Sequence, residues 1–239
     1  MIDVKCLDHT GHTGVVNLIK PSVTKGLDLS TVEWAITVGI FSVGGAIGAF
    51  GIPRVLDKLG RKWGLTLNSL TFVLTGILQF ISGQLDSKER VAFIVLLVSR
   101  VIAGIGSGAA TVAVPMYLGE IASINLRGLF GSFANFSTVC GIFVSQAVSI
   151  GLRDNDEWKW LLSITGFLGL IQFVLGFWLL ESPKWLANRG DTDEAHEVLL
   201  TSRGYEGFEA QAEMDEIMLK GGECTFCTGF SDSHKLTCY

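Results

Sequence analysis

Charge is scarce in this sequence. Asp, Glu, Lys and Arg make up 17% of its 239 residues, whereas soluble domains carry about 25%. That shortage argues against an ordinary water-soluble domain. The formal net charge of −5 is mild, and no basic face stands out, so nucleic acid is not an expected partner. The five cysteines, Cys6, Cys140, Cys224, Cys227 and Cys238, are odd in number and irregularly spaced, a poor disulfide framework. The amino end has no apolar run behind a basic stretch, so no cleavable signal peptide is expected. Ser and His residues are scattered in no pattern for nucleophilic catalysis.

Apolar residues are plentiful, at 49%, and glycine occurs 29 times. A membrane-spanning helix needs about 20 mostly apolar residues, because the hydrocarbon core is about 30 Å thick. Five runs meet that length: Ala35 to Pro53, Gly64 to Leu85, Val91 to Leu118, Leu129 to Leu152, and Trp160 to Leu180. Four contain no Asp, Glu, Lys or Arg, and the third contains only Arg100. Five such runs leave almost no polar surface for water. The expected fold class is an all-α, multi-pass membrane protein in a lipid bilayer.

The connecting segments suggest an orientation. Arg54, Lys58, Arg61 and Lys62 follow the first run, Arg127 the third, and Lys184, Arg189 and Arg203 the fifth. The segment after the second run is balanced and the one after the fourth slightly acidic. Cationic excess on alternate turns places those turns in the cytoplasm. Residues 1 to 30 then lie on the opposite side, which hints at a preceding span.

Two segments carry more than hydropathy. In Asp57-Lys58-Leu59-Gly60-Arg61-Lys62, a carboxylate, a turn glycine and cations share a very short connection. These groups can pair with one another and with helix ends, latching two helix bundles; simple anchoring of the turn in the cytoplasm explains them equally well. In the third run, Gly104 and Gly108 sit four apart on one helix face, where missing side chains let another helix approach closely. Arg100, inside a span, costs about 2.5–3.5 kcal/mol on insertion scales. It needs a bundle interior or wet cavity and an acidic partner. The spans offer no acid, and Glu33, at the margin of the first, is a poor candidate, so Arg100 is expected to be poorly compensated.

The order of these elements resembles the sugar porter family of the major facilitator superfamily, in the manner of a fungal-type hexose transporter. Ile102, Gly104, Ile105, Gly108, Tyr117, Glu120 and Arg127 fall at the spacings of that family's long signature. Glu181-Ser-Pro183-Lys184-Trp185-Leu186 resembles the element closing the family's sixth helix, and Asp57 to Lys62 resembles its loop between helices two and three. Four residues before Asp57 the family has glycine, and here stands Pro53. The resemblance covers about residues 33 to 219.

By this resemblance the five spans correspond to family helices two to six, part of a twelve-helix fold with substrate bound between two halves. It implies a non-family segment at 1–32, a five-helix bundle at 33–182, a cytoplasmic helical segment at 183–220 and a non-family tail at 221–239. It implies transport of a hexose-like sugar by alternating access, with no cofactor and no enzyme activity, in a plasma or vacuolar membrane. The conformational ion-pair network would comprise Asp57, Arg61, Lys62, Glu120, Arg127 and Glu181. Asn135 matches a family glutamine that reads sugar hydroxyls, and Gln146, eleven residues on, matches a second. Arg100 matches an arginine that pairs with a first-helix acid in proton-coupled members, which leaves proton symport and facilitated diffusion both open. The alternative is a truncated, non-transporting fragment or an assembly partner of an intact transporter.

Two clusters of metal-ligand type are discounted: Cys6, His9 and His12, and Cys224, Cys227, His234 and Cys238. A structural zinc site needs four ligands on a compact folded loop. The membrane reading has a direct check. The chain is expected to stay in the membrane pellet through alkaline carbonate extraction; release into the supernatant would overturn it.

Overall fold

The computed structural model describes residues 30–85, 89–122, 126–151 and 158–203. Seven helices lie among these residues: α1 (Thr31–Leu59), α2 (Arg61–Gln84), α3 (Glu89–Ile121), α4 (Arg127–Gly151), α5 (Trp158–Gly176), α6 (Pro183–Arg189) and α7 (Thr192–Arg203). They belong to two compact units, Met1–Leu179 and Leu180–Tyr239. The Cys/His clusters at both ends of the sequence lie outside the described residues.

In the first unit, α1 to α4 are long and apolar enough to cross a membrane, and α5 contributes the shorter apolar stretch Thr165–Gly176. Helices are the natural solution there, since hydrocarbon cannot satisfy a backbone N–H or C=O. α1 begins with a reciprocal cap. The Ser30 N–H donates to Glu33 Oε2 at 2.9 Å, and the Glu33 N–H donates to Ser30 Oγ at 3.2 Å. This satisfies two donors that the first turn would otherwise leave open.

The helices overrun the apolar runs. α1 continues through Pro53 to Leu59, and α3 continues through Pro115 to Ile121. The connection expected at Asp57–Lys62 is thereby reduced to one non-helical residue, Gly60, at φ 93°. A side chain is strained at that φ, and glycine is not. At the other extreme, α5 stops at Gly176 rather than at Leu180. The N–H groups of Phe177, Trp178 and Leu179 turn to carbonyls three residues back, at 3.2–3.3 Å, which tightens and ends the last turn.

Burial in this unit is inverted relative to a soluble bundle. α2 turns Thr66, Asn68, Ser69, Thr75, Gln79 and Ser82 inward, and exposes Leu67, Leu70, Leu74 and Ile77. The inward hydroxyls are satisfied locally. Thr66 and Thr75 donate to carbonyls four residues back at 2.8 Å, and Ser82 donates across to the Ala92 carbonyl at 2.8 Å. Lipid, not water, is the medium such an outer face fits.

Glycine sets the helix contacts. α1 packs mainly on α3, and α2 on α5 and α3. A Cβ on Gly44 would stand 2.6 Å from the Val101 carbonyl oxygen, and one on Gly48, Gly104 or Gly108 would collide with the backbone of Ile105, Phe41 or Gly45 respectively. Gly166 meets Gly76 so closely that its Cβ would lie 2.9 Å from the Gly76 Cα. Backbone therefore lies on backbone, where dispersion and weak C–H contacts replace the hydrophobic drive that lipid cannot supply.

The described residues of the second unit form a short helix pair. Ser182 caps α6, accepting from the Trp185 N–H at 3.4 Å, and Pro183 opens the helix. Gly190, at φ 97°, closes it in the left-handed region, with the Gly190 and Asp191 N–H groups on the Ala187 and Leu186 carbonyls at 3.1 Å. Leu186, Ala187, Ala195, Val198 and Leu199 form its buried core. The part of the expected cytoplasmic helical segment beyond Arg203 lies outside the described residues.

The glycine contacts predict a graded response. Gly104→Val is expected to lower stability by about 1–3 kcal/mol, because the added atoms have only backbone to displace. Gly51→Ala, with open space where its Cβ would stand, is expected to change stability by less than about 1 kcal/mol. Thermal melting of the detergent-purified chain reads both; equal losses would refute the packing argument.

Candidate functional site

The turn at Gly60 places Arg61 at the first position of α2, directly beside the end of α1. Its side chain reaches across to α3. Arg61 Nε donates to Glu120 Oε2 and Nη2 donates to Glu120 Oε1, both at 2.9 Å. This is a parallel two-bond pairing of a planar guanidinium with a carboxylate, a geometry lysine cannot reproduce. The remaining nitrogen, Nη1, donates to the Leu56 carbonyl at 3.2 Å and to Asp57 Oδ1 at 3.3 Å. One guanidinium thus ties the end of α1, the start of α2 and the end of α3.

Burial ranks the contacts. The Arg61 and Glu120 side chains are 9% and 11% exposed, whereas that of Asp57 is 65% exposed. Water screens the Asp57 contact and leaves the Glu120 contact largely unscreened. Beneath the pair, Ile52, Leu56, Leu65, Ala113, Val114 and Tyr117 form a buried apolar cluster, which fixes the backbone carrying both charges.

Of the expected network, the structure brings together Asp57, Arg61 and Glu120. Lys62 is half-buried beside Arg61 in the chain, and its carbonyl accepts from Thr66 Oγ1. Arg127 opens α4, but its side chain lies outside the described residues. Glu181 belongs to the second unit, where its Oε1 accepts from the Ser182 N–H at 3.0 Å.

Arg100 is 3% exposed, and its Nε has no hydrogen-bond partner among the described residues. Glu33 is committed to its cap. Asn135 and Gln146 both lie exposed on α4. Eleven residues at 3.6 per turn bring them to nearly the same face. Neither amide has a described partner. Gly104 and Gly108 sit at the α1–α3 contact, as their spacing implies.

Sequence reasoning missed the other side of that contact. Gly44 and Gly48 repeat the four-residue spacing on α1 and were legible by the same rule. It also missed Asn68, whose Nδ2 donates to the Gly106 carbonyl at 3.1 Å and ties α2 to α3. Gln79 is fully buried with both amide atoms unpartnered among the described residues; a Gln in the middle of an apolar run was the available signal. No cluster of three or more metal-ligating side chains occurs among the described residues.

Apolar spans, glycine-to-backbone packing and a charged clamp at the helix ends define a multi-span membrane protein. Residues 8–224 match the family described as "Sugar (and other) transporter", and the chain belongs to that family. The match takes in most of the segment before Glu33. It is 34% identical over 188 residues to the human facilitated glucose transporter member 7 of solute carrier family 2, covering 77% of this chain and 36% of that protein. It is 35% identical over 209 residues to mouse member 5, covering 86% and 40% respectively. The chain thus spans well under half the length of these relatives. Among solved structures, it resembles the proton:xylose symporter XylE of the major facilitator superfamily, bound to 6-bromo-6-deoxy-D-glucose, with TM-score 0.83 at 21% identity, over 93% of this chain and 52% of that one. A partially occluded, inward-open conformation of the E. coli xylose transporter gives 0.82 over 95% and 60%. The shared fold is a partial major facilitator superfamily bundle.

The clamp predicts unequal substitutions. Glu120→Ala, which leaves a buried guanidinium uncompensated, is expected to cost about 3–5 kcal/mol. Asp57→Asn is expected to cost under about 1 kcal/mol. Melting of the two variants in detergent checks the ranking, and a reversed order would show that the exposed contact dominates.

Proposed function

We propose that this chain forms one wall and the cytoplasmic latch of a carbohydrate transporter working by alternating access, with a hexose-like sugar as cargo. The pair of amides on α4 carries this reading. Asn135 and Gln146 share a face of a largely apolar helix and have no described partner. An amide both donates and accepts hydrogen bonds, as a sugar hydroxyl does. A free amide facing lipid is costly, so this face needs a polar cavity or another helix. The names of the relatives, glucose transporters and a xylose symporter, support the substrate class.

Arg61, Asp57 and Glu120 serve as the latch in this reading. Such a clamp favours one conformation only as far as its contacts differ between states. Lys62, Arg127 and Glu181 are the remaining proposed members. Arg100 is proposed as the partner of the acid that would carry the proton if the transporter is a symporter; the guanidinium itself stays charged. The proposed location is a plasma or vacuolar membrane, with the Gly60 turn in the cytoplasm.

A second reading is a chain that does not transport alone and associates with an intact transporter. Exposure of the two amides on α4 supports it, because lipid cannot satisfy their hydrogen bonds and another helix can. Uptake of labelled hexose into vesicles holding only this chain separates the two. Saturable uptake supports transport, and its Michaelis constant is expected to rise about fivefold in Asn135→Ala and in Gln146→Ala, one neutral hydrogen bond being worth about 1 kcal/mol. No uptake alone, together with co-purification with a full-length relative, supports the partner reading.

A further inference from the structure

Polar side chains line the seam between α2 and α3 at a regular interval. Asn68, Thr75 and Ser82 recur every seven residues on α2, and Ala92, Ser99 and Gly106 recur every seven on α3. Each set therefore keeps to one strip of its helix. Both ends of the seam are bonded across it. Ser82 Oγ donates to the Ala92 carbonyl at 2.8 Å, and Asn68 Nδ2 donates to the Gly106 carbonyl at 3.1 Å. These two bonds fix an antiparallel register, which sets Thr75 level with Ser99 midway between them.

The middle level differs from the ends. Thr75 and Ser99 are fully buried, yet each hydroxyl donates back to its own helix. Thr75 Oγ1 bonds the Thr71 carbonyl at 2.8 Å, and Ser99 Oγ bonds the Leu96 carbonyl at 2.7 Å. Each oxygen keeps lone pairs that can accept. Gln79, one turn beyond Thr75 on the same strip, is fully buried as well, and neither its Nε2 nor its Oε1 has a partner among the described residues. Long side chains on a helix lean toward its amino-terminal turn, which carries the Gln79 amide toward the level of Thr75 and Ser99. An amide left dry in such a place is costly.

We propose that one internal water molecule is bound at this level, accepting from Gln79 Nε2 and donating to Gln79 Oε1 and, across the seam, to Ser99 Oγ. The bound water supplies the middle rung between the Asn68 and Ser82 bonds. Its chemistry follows from the groups around it. Gln79, Thr75 and Ser99 carry no charge to balance an ion, and water donates and accepts at once, as an amide facing hydroxyl lone pairs requires. About three hydrogen bonds is the usual complement of a buried water. The inference uses buried groups alone, so it needs no exposed face and stands or falls apart from the sugar reading.

The test is X-ray radiolytic footprinting of the purified 239-residue chain in detergent. Radiolysis of a bound water oxidises the side chain beside it, even where bulk solvent does not reach. Leu96, one turn before Ser99, is the probe, and Leu65, in the apolar cluster beneath Arg61, is the control; both are 1% exposed. Wild type is expected to oxidise Leu96 several-fold faster than Leu65, and a soluble radical scavenger is expected to leave that difference intact. Gln79→Met, which keeps the shape and removes the amide, is expected to bring Leu96 down to the Leu65 rate, and so is Ser99→Ala. Equal slow rates in wild type overturn the proposal, because the amide is then satisfied by protein. So does a Leu96 signal that the scavenger removes, which marks bulk solvent, or one that either folded variant retains. A rise at Leu65 reports a variant that has not folded; wild type with and without the scavenger then decides alone.

Discussion

The structure depends first on how close α1 and α3 come. Gly44, Gly45 and Gly48 lie against Gly104 and Gly108 with backbone on backbone, a separation that side chains on either surface would forbid. In lipid the hydrophobic effect does not press helices together, so close atomic contact must do it. Their approach brings the far end of α3 beside the end of α1. Glu120 can meet Arg61 only because that approach has been made.

The clamp then adds direction to what packing leaves symmetric. A bidentate guanidinium–carboxylate pair tolerates little rotation, and the same guanidinium is held to the Leu56 carbonyl. Its low exposure sets it apart from the many surface ion pairs that contribute little. The apolar cluster of Ile52, Leu56, Leu65 and Tyr117 lies beneath it, so the charges sit on a floor that does not give. Arg100 is the counter-example within the same bundle. It is equally buried, yet its Nε lacks a partner among the described residues.

Much of this was legible from the residues. Apolar runs of spanning length gave the helices, and the Gly104–Gly108 spacing gave the helix contact, because both follow from the geometry of one helix alone. The Arg61–Glu120 pairing came through family resemblance, since the two residues are 59 apart and no local rule links them. Helix ends were misjudged where hydropathy fades but hydrogen bonding continues. Asp57, Lys58 and Leu59 read as a loop by charge and are helical, because an i to i+4 ladder does not need apolar side chains. Conversely, Trp178 to Leu180 read as span by composition, yet the ladder had already tightened and closed. Gln79 and Asn68 were overlooked because hydropathy averages a single amide away, although burial makes its placement matter most.

Gly60 has a mechanical implication. A joint of one residue has no slack, so the end of α1 and the start of α2 cannot separate, and the Arg61 bond to the Leu56 carbonyl holds their angle as in an elbow. Motion at this corner must therefore be taken up where the elbow meets α3, at contacts that separate as a unit, rather than dissipated in a yielding connector. Lengthening the corner by even a short flexible insert would decouple the two arms while leaving each helix intact.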